Sequence, residues 1–224
     1  MISELLYAIL VAYGALFPVV NPLGGSLLYN SITHSLDASV KRRLARKIAM
    51  NAFFLLIGVL FVGVWVLKLF GIQIPIVQLA GGAVVATRGW MIMNTGVNAR
   101  AGDSNMINNE KTAMSSSFFP LTLPMTAGPG SIATAITLGA EAQIMDGKLL
   151  SIADYIGFSV GILLISITVY LTYHSAGYLM KRLRENSRMV IMKLSAFITL
   201  CIGLTVVSKG LLGLIQFYVG AIAH

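Results

Sequence analysis

A chain of 224 residues that is 57% hydrophobic and 11% charged is not a soluble domain, because soluble domains carry about 25% charged residues. Its net charge of +8 sits in short segments between long apolar runs, so it reads as a set of membrane-orientation signals and not as a nucleic-acid surface. Cys201 is the single cysteine, which excludes a disulfide framework and a paired-thiol site.

Six runs are long enough to cross a hydrocarbon core that needs about 20 apolar residues. The first, Leu5–Asn30, has no basic segment before it and no small-residue cleavage site, so it reads as a retained helix. It contains Phe17-Pro18-Val19-Val20-Asn21-Pro22-Leu23-Gly24-Gly25-Ser26. Pro22 has no N–H to donate and crowds the preceding turn, so the helix is expected to break near Asn21. Lys41, Arg42, Arg43, Arg46 and Lys47 follow as a basic loop, then the second run, Ile48–Phe70. The third run, Ile76–Thr95, contains Gln78 and Arg88. Arg88 lies about 20 Å along from Pro75 at about 1.5 Å per residue. It reads as a snorkelling or structurally paired arginine, with a role in a gate or pathway as the alternative. Gln78 reads as an interhelical hydrogen-bonding residue, with the same alternative.

A polar connector, Asn98–Lys111, leads to the fourth run, Ser117–Gly139. Here Leu123-Pro124-Met125-Thr126-Ala127-Gly128-Pro129-Gly130-Ser131-Ile132 repeats the first break: an apolar approach, proline, a small or polar residue, a second proline, then glycine and serine. The fifth run, Ile152–His174, carries Gly157-x-x-x-Gly161, a mark of close helix packing that also allows a homo-oligomer. A second basic cluster, Lys181, Arg182, Arg184 and Arg188, precedes the sixth run, Val190–Leu212.

If the first and fourth runs both cross, 13 of the 16 Lys and Arg residues share one side and only Lys68, Lys148 and Lys209 lie opposite. The positive-inside rule makes the crowded side cytoplasmic and puts both termini outside. A unit of three helices flips its copy, so the expectation is an all-α membrane protein of two inverted-topology repeats. Repeat 1 covers about 1–97, the connector 98–114 and repeat 2 115–224, forming one membrane domain whose first and fourth helices are broken.

Each break starts a new half-helix at proline, with Gly24, Gly25, Gly130 and Ser131 allowing close approach. The unpaired N–H groups of such a start favour a carboxylate, and the carbonyls freed on the other side favour an ammonium group or a cation. Two matched breaks therefore suit a small zwitterion, and the bland alternative is a pair of kinks satisfied by neighbouring helices. The candidate binding residues are Asn21, Pro22, Gly24, Gly25, Thr126, Gly128, Pro129, Gly130 and Ser131. All eight acidic residues fall in loops or at helix edges, so no buried carboxylate is available as a proton relay or sodium ligand. Coupling to a proton or cation would then run through carbonyls, hydroxyls such as Ser26, Thr126 and Ser131, or the solute itself. There is no phosphate-binding loop, metal-ligand cluster or hydrolase constellation, so no enzyme, cofactor or metal is expected.

The segments Phe17–Gly24, Leu79-Ala80-Gly81-Gly82-Ala83-Val84-Val85 and Pro120–Ile132 resemble the MarC/SnatA family of bacterial and archaeal membrane proteins over nearly the whole chain. The resemblance implies a transporter of small neutral amino acids, typically glycine and alanine, with proton-driven transport, in the bacterial inner membrane. It assigns the family motifs to Asn21, Pro22 and Gly24 in one half and to Gly128, Pro129 and Gly130 in the other; Arg88 matches no family motif. The residues and the resemblance agree on a secondary transporter working by alternating access. An exporter of another small metabolite or drug, or a non-transporting membrane scaffold, is the alternative.

Overall fold

The computed structural model describes residues 2–95, 107, 109–144, 152–182 and 185–222. Among these the regular elements are helical: α1 (Ile2–Val20), α2 (Pro22–Ile32), α3 (Ala38–Leu69), α4 (Ile74–Thr95), α5 (Glu110–Ser115), α6 (Pro129–Ile144), α7 (Ile152–His174), α8 (Ala176–Arg182) and α9 (Glu185–Ile222). A stretch of wider helical turns, Leu121–Thr126, lies between α5 and α6. Most of the expected connector Asn98–Lys111, with Lys148 and Arg184, lies outside the described residues.

Among the described residues five helical stretches are long and apolar enough to cross a membrane: Ser3–Ile32, Ala38–Leu69, Ile74–Asn94, Ile152–His174 and Asn186–Val219. The expected run Ser117–Gly139 is not among them. Pro120, Pro124 and Pro129 each remove an N–H and crowd the turn before, so the longest unbroken piece there is the 16-residue α6. A second difference lies at the start of α3. Lys41 to Lys47 stand on its first turns and not in a loop, because Val40, Leu44, Ala45 and Ile48 form a buried stripe at helical spacing beneath them.

Contacts at the two ends fix the direction of each element. Arg42 donates its Nε–H to His174 Nε2 at 3.0 Å, Arg43 pairs with Glu110 at 2.6 Å, and Lys47 Nζ donates to the Met114 carbonyl at 3.2 Å. The start of α3, α5 and the end of α7 therefore share one basic end. At the other end Phe61 stacks on Tyr155 with centroids 5.2 Å apart, and Tyr155 Oη donates to the Gly139 carbonyl at 3.3 Å. The stretch from Glu110 to Ile144 thus runs the length of the bundle in pieces. Helix α1 runs parallel to α7, with Ala8 and Ala12 seated on Gly157 and Gly161, so it begins at the end opposite the basic cluster. Helix α9 runs antiparallel to α4 and ends there too, with Gly210 against Pro75 and Leu79.

Leu44, Ile48, Leu56 and Leu60 of α3 and Ile162, Ile165 and Val169 of α7 are buried in the core. Leu204, Leu211, Leu212, Phe217 and Val219 of α9 form an exposed apolar surface suited to lipid. The α4–α9 pair is pulled close by small residues, as expected where lipid gives helices no hydrophobic reason to associate. A methyl placed on Gly203 would stand 2.3 Å from the Ala86 amide nitrogen, and backbone cannot move aside cheaply. Gly203→Val is therefore expected to destabilise by about 1–3 kcal/mol, lowering the thermal midpoint of the detergent-solubilised protein by about 5 °C. An unchanged midpoint would show that α4 and α9 do not pack in this way.

Candidate functional site

An α-helical N–H bonds to the carbonyl four residues earlier, so a proline orphans that carbonyl. Pro22 opens α2 and cannot donate to the carbonyl of Pro18; Pro129 opens α6 after a non-helical Ala127, which leaves the carbonyl of Met125 at the end of the wide turns. Both are supplied from elsewhere in the chain. Thr199 Oγ1, from α9, lies 3.1 Å from the Pro18 carbonyl and 2.8 Å from the Ser195 carbonyl of its own helix, so its one proton is shared between the two. Arg88 Nη2, from α4, donates to the Met125 carbonyl at 2.6 Å. Each interruption is served by a long helix of the opposite half of the sequence.

Local chemistry shapes the two interruptions differently. Asn21 adopts the left-handed conformation, φ 49° and ψ 64°, which asparagine tolerates better than other side-chain-bearing residues. Its Oδ1 accepts the Gly24 N–H at 3.0 Å and caps α2. The neighbouring glycines have specific reasons. A methyl on Gly24 would stand 2.7 Å from Asn21 Nδ2, and one on Gly25 would stand 2.5 Å from Tyr173 Oη. In the second interruption the N–H groups of Leu121, Thr122, Leu123, Met125 and Ala127 donate to carbonyls five residues earlier, the pattern of a widened helix common at functional sites. The hydroxyls of Thr122 and Thr126 also reach back five residues, each at 2.7 Å, and Leu123 leaves helical geometry at φ −111° and ψ 121°.

Tyr173 joins the two regions. Its Oη lies 2.9 Å from Thr126 Oγ1. Thr126 spends its one proton on the Leu121 carbonyl, so Tyr173 is the donor. The Tyr173 ring stacks on Tyr29 at 4.8 Å, and Tyr29 Oη donates to the Lys41 carbonyl at 2.7 Å. Both rings are fully buried, which ties α2, α3, α7 and the wide turns through polar contacts without water.

A cavity of about 730 Å³ lies against these interruptions. Its wall is formed by Val19 of α1, Leu28 and Ile32 of α2, the face of α4 from Ala83 to Met91, Pro120 to Met125, Gly128 to Ser131, and Thr199. Of the residues singled out in the sequence, Gly128, Pro129, Gly130, Ser131 and Arg88 line it. Asn21, Pro22, Gly24, Gly25 and Thr126 do not; they form the capped and hydrogen-bonded structure behind the wall. Gln78 lies on α4 more than two turns before Arg88 and is not part of the lining. Gly130 serves packing as well as space, since a methyl there would stand 1.9 Å from Val85 Cγ2. Sequence reasoning missed Thr199, Tyr173 and the Met125 carbonyl. The carbonyl was available by counting four residues back from Pro129, whereas its donor sits on a distant helix with no local signal.

Among the described lining residues Arg88 is the one charged side chain, and the rest are apolar except for hydroxyls. A guanidinium in such surroundings is a strong partner for a carboxylate. The tie behind the wall has its own test. Tyr173→Phe should lower stability by about 1 kcal/mol, read as a small drop in thermal midpoint. Gly25→Ala should cost more on its own and be partly rescued by Tyr173→Phe, because the phenolic oxygen is the atom in the way. Absence of rescue would remove Tyr173 as the reason for glycine at position 25.

Comparison with known proteins finds the chain similar to membrane proteins. Residues 6–215 match the family model described as MarC family integral membrane protein. The chain is 28% identical to the membrane protein YvbG of Bacillus subtilis (strain 168) over 203 residues, covering 89% of this chain and 92% of the relative. It is 26% identical to the inner membrane protein MarC of Escherichia coli (strain K12) over 224 residues, covering 96% and 99%, and likewise to that of Shigella flexneri. No solved structure matches the chain. With a family model spanning nearly its whole length, a bundle of membrane-length apolar helices and two full-length relatives named as membrane proteins, the chain belongs to the MarC family of integral membrane proteins.

Proposed function

We propose that this protein is a secondary transporter of small neutral amino acids of the glycine and alanine kind, coupled to a proton or cation, in the bacterial inner membrane. The observation that carries the reading is the Arg88 guanidinium set beside a proline-freed carbonyl on the wall of a cavity between two helix interruptions. A carboxylate suits the guanidinium and the adjoining start of α6, and an ammonium group suits a freed carbonyl. Helix starts and unwound carbonyls at the middle of the membrane are how transporters of this kind hold their solutes.

The architecture proposed with it is one membrane domain of two inverted repeats, about 1–97 and 115–224, joined by the connector 98–114. In this reading Glu110–Ile144 is the sixth crossing, in pieces, and α1 with α2 is its counterpart. Support comes from the matched pairs: the interrupted helix of each half packs against the middle helix of the other, α1 and α2 on α7 and α6 on α3, and α4 packs on α9. The start of α1 and the end of α9 lie at the end opposite the basic cluster, which fits termini outside the cytoplasm. Transport then proceeds by one set of helices rocking against the other around Asn21–Gly25 and Gly128–Ser131.

A second reading is favoured by the cavity's size. About 730 Å³ lies within the range of pockets that hold drug-sized ligands, so export of a larger metabolite or drug is the alternative, and a non-transporting scaffold remains the outcome if no solute moves. The test is uptake of radiolabelled glycine and alanine into proteoliposomes, with and without an inward proton gradient. Gradient-stimulated uptake is expected in the natural protein. Pro129→Ala restores an N–H at the start of α6, favours a continuous helix there and should abolish uptake while the protein still folds. Uptake inhibited more strongly by bulky solutes than by alanine would favour the second reading, and uptake untouched in Pro129→Ala would remove the interruption from the mechanism.

A further inference from the structure

Resting on that transport reading, we infer that Arg88 and the Met125 carbonyl are an exchangeable pair that reads a zwitterion. The solute's carboxylate takes the guanidinium and its ammonium takes the carbonyl, so one protein–protein hydrogen bond is replaced by two protein–solute contacts.

The starting bond is the one at 2.6 Å between Arg88 Nη2 and the Met125 oxygen. The Met125 carbonyl stands at the end of the wide turns, just before the non-helical Ala127, and Arg88 is its donor. Arg88 and Met125 both line the cavity, so the bond between them stands at its wall. The other guanidinium nitrogen, Nη1, lies over Gly128, 3.7 Å from where a methyl on that residue would stand. Glycine at 128 leaves the guanidinium room to turn. The corresponding carbonyl in the first half, that of Pro18, faces the neutral hydroxyl of Thr199, which it shares with the Ser195 carbonyl. The second interruption alone sets a cation beside its carbonyl.

Exchange explains selection by charge pattern. A plain carboxylate that takes Arg88 leaves the Met125 carbonyl without its donor, which is costly in a dry cavity. A plain amine that takes the carbonyl brings its own positive charge against the displaced guanidinium. An α-amino acid carries both groups on one carbon and satisfies both partners, and a neutral zwitterion leaves the net charge of the cavity as it was. Exchange also cuts the direct tie between α4 and the Leu121–Thr126 segment and rebuilds it through the solute. That is a difference in contacts between empty and loaded protein, which any solute-driven change of conformation requires.

The test measures binding and uptake together on the full chain. Binding is read as stabilisation of the detergent-solubilised protein by alanine, propionate, ethylamine and β-alanine, and uptake is read in proteoliposomes as competition with labelled alanine. In the natural protein alanine should act at a concentration about tenfold lower than propionate or ethylamine, each of which lacks one of the two contacts, with β-alanine between. Arg88→Gln keeps an N–H donor for the Met125 carbonyl but no charge. It should raise the half-saturating alanine concentration at least about tenfold and narrow the gap between alanine and ethylamine, with little change in the melting midpoint of the unliganded protein. Arg88→Lys should fall between, since it keeps the charge and loses the planar fork. A merely structural arginine would lower the maximal rate and leave the ranking of solutes intact, and that result overturns the exchange. Should the natural protein bind alanine in the predicted order but move none, the exchange stands and the transport reading fails. Should it bind alanine no better than propionate and ethylamine, the exchange fails even if uptake is seen, and the series in the natural protein decides this without any variant.

Discussion

Proline cannot donate a hydrogen bond, and a bilayer offers no water to do so in its place. Each helix that restarts at a proline inside the bundle therefore leaves a carbonyl that some other part of the protein must serve, or lose the desolvation energy of a buried polar group. The structure answers this twice and crosswise: Thr199 of α9 for Pro18, Arg88 of α4 for Met125. Neither half of the chain satisfies its own interruption. The long α4–α9 contact, made close by Gly82, Gly89, Gly203 and Gly210, is what brings both donors to the middle of the bundle. The cavity is then a consequence, since helices that stop and restart leave space where a continuous one would fill it.

Around this arrangement the polar groups close on one another. The turns from Leu121 to Thr126 run five residues per bond, and two threonine hydroxyls donate to carbonyls within that widened stretch. Tyr173 then ties this stretch to α2 at Gly25, and through its stacking on Tyr29 to the start of α3. Among the described residues no buried side-chain nitrogen or oxygen is left without a hydrogen-bond partner.

Much of this was legible beforehand, and the reasons are physical. Long apolar runs mark helices whatever their neighbours, and Pro22 and Pro129 mark interruptions because the loss of an N–H is a property of one residue. Polar and basic patterning predicted that Lys41–Lys47 and Lys181–Arg188 share an end, and Arg42 meeting His174 places the start of α3 beside the end of α7. Other features depend on contacts that spacing does not encode. Lys41 to Lys47 looked like a loop because charge outweighed the short buried stripe of Val40, Leu44 and Ala45. The run at Ser117–Gly139 looked like a helix because its apolar length outweighed its prolines. Gly24 and Gly25 suggested solute approach, whereas the atoms they make room for are Asn21 Nδ2 and Tyr173 Oη. Thr199 carried no signal at all, being one threonine in an apolar helix.

The crosswise service of proline-freed carbonyls is tested most directly by a double-mutant cycle on thermal stability between Pro22→Ala and Thr199→Val, the pair that stands apart from the charged side of the cavity. Alone, Thr199→Val should destabilise by about 1–2 kcal/mol, because it orphans a buried carbonyl. With alanine at position 22 that carbonyl gains an N–H from its own helix, so the loss from Thr199→Val should shrink to a few tenths of a kcal/mol, a clear departure from additivity. Equal losses in both backgrounds would contradict the account, because Thr199 would then be serving something other than the carbonyl that Pro22 leaves open.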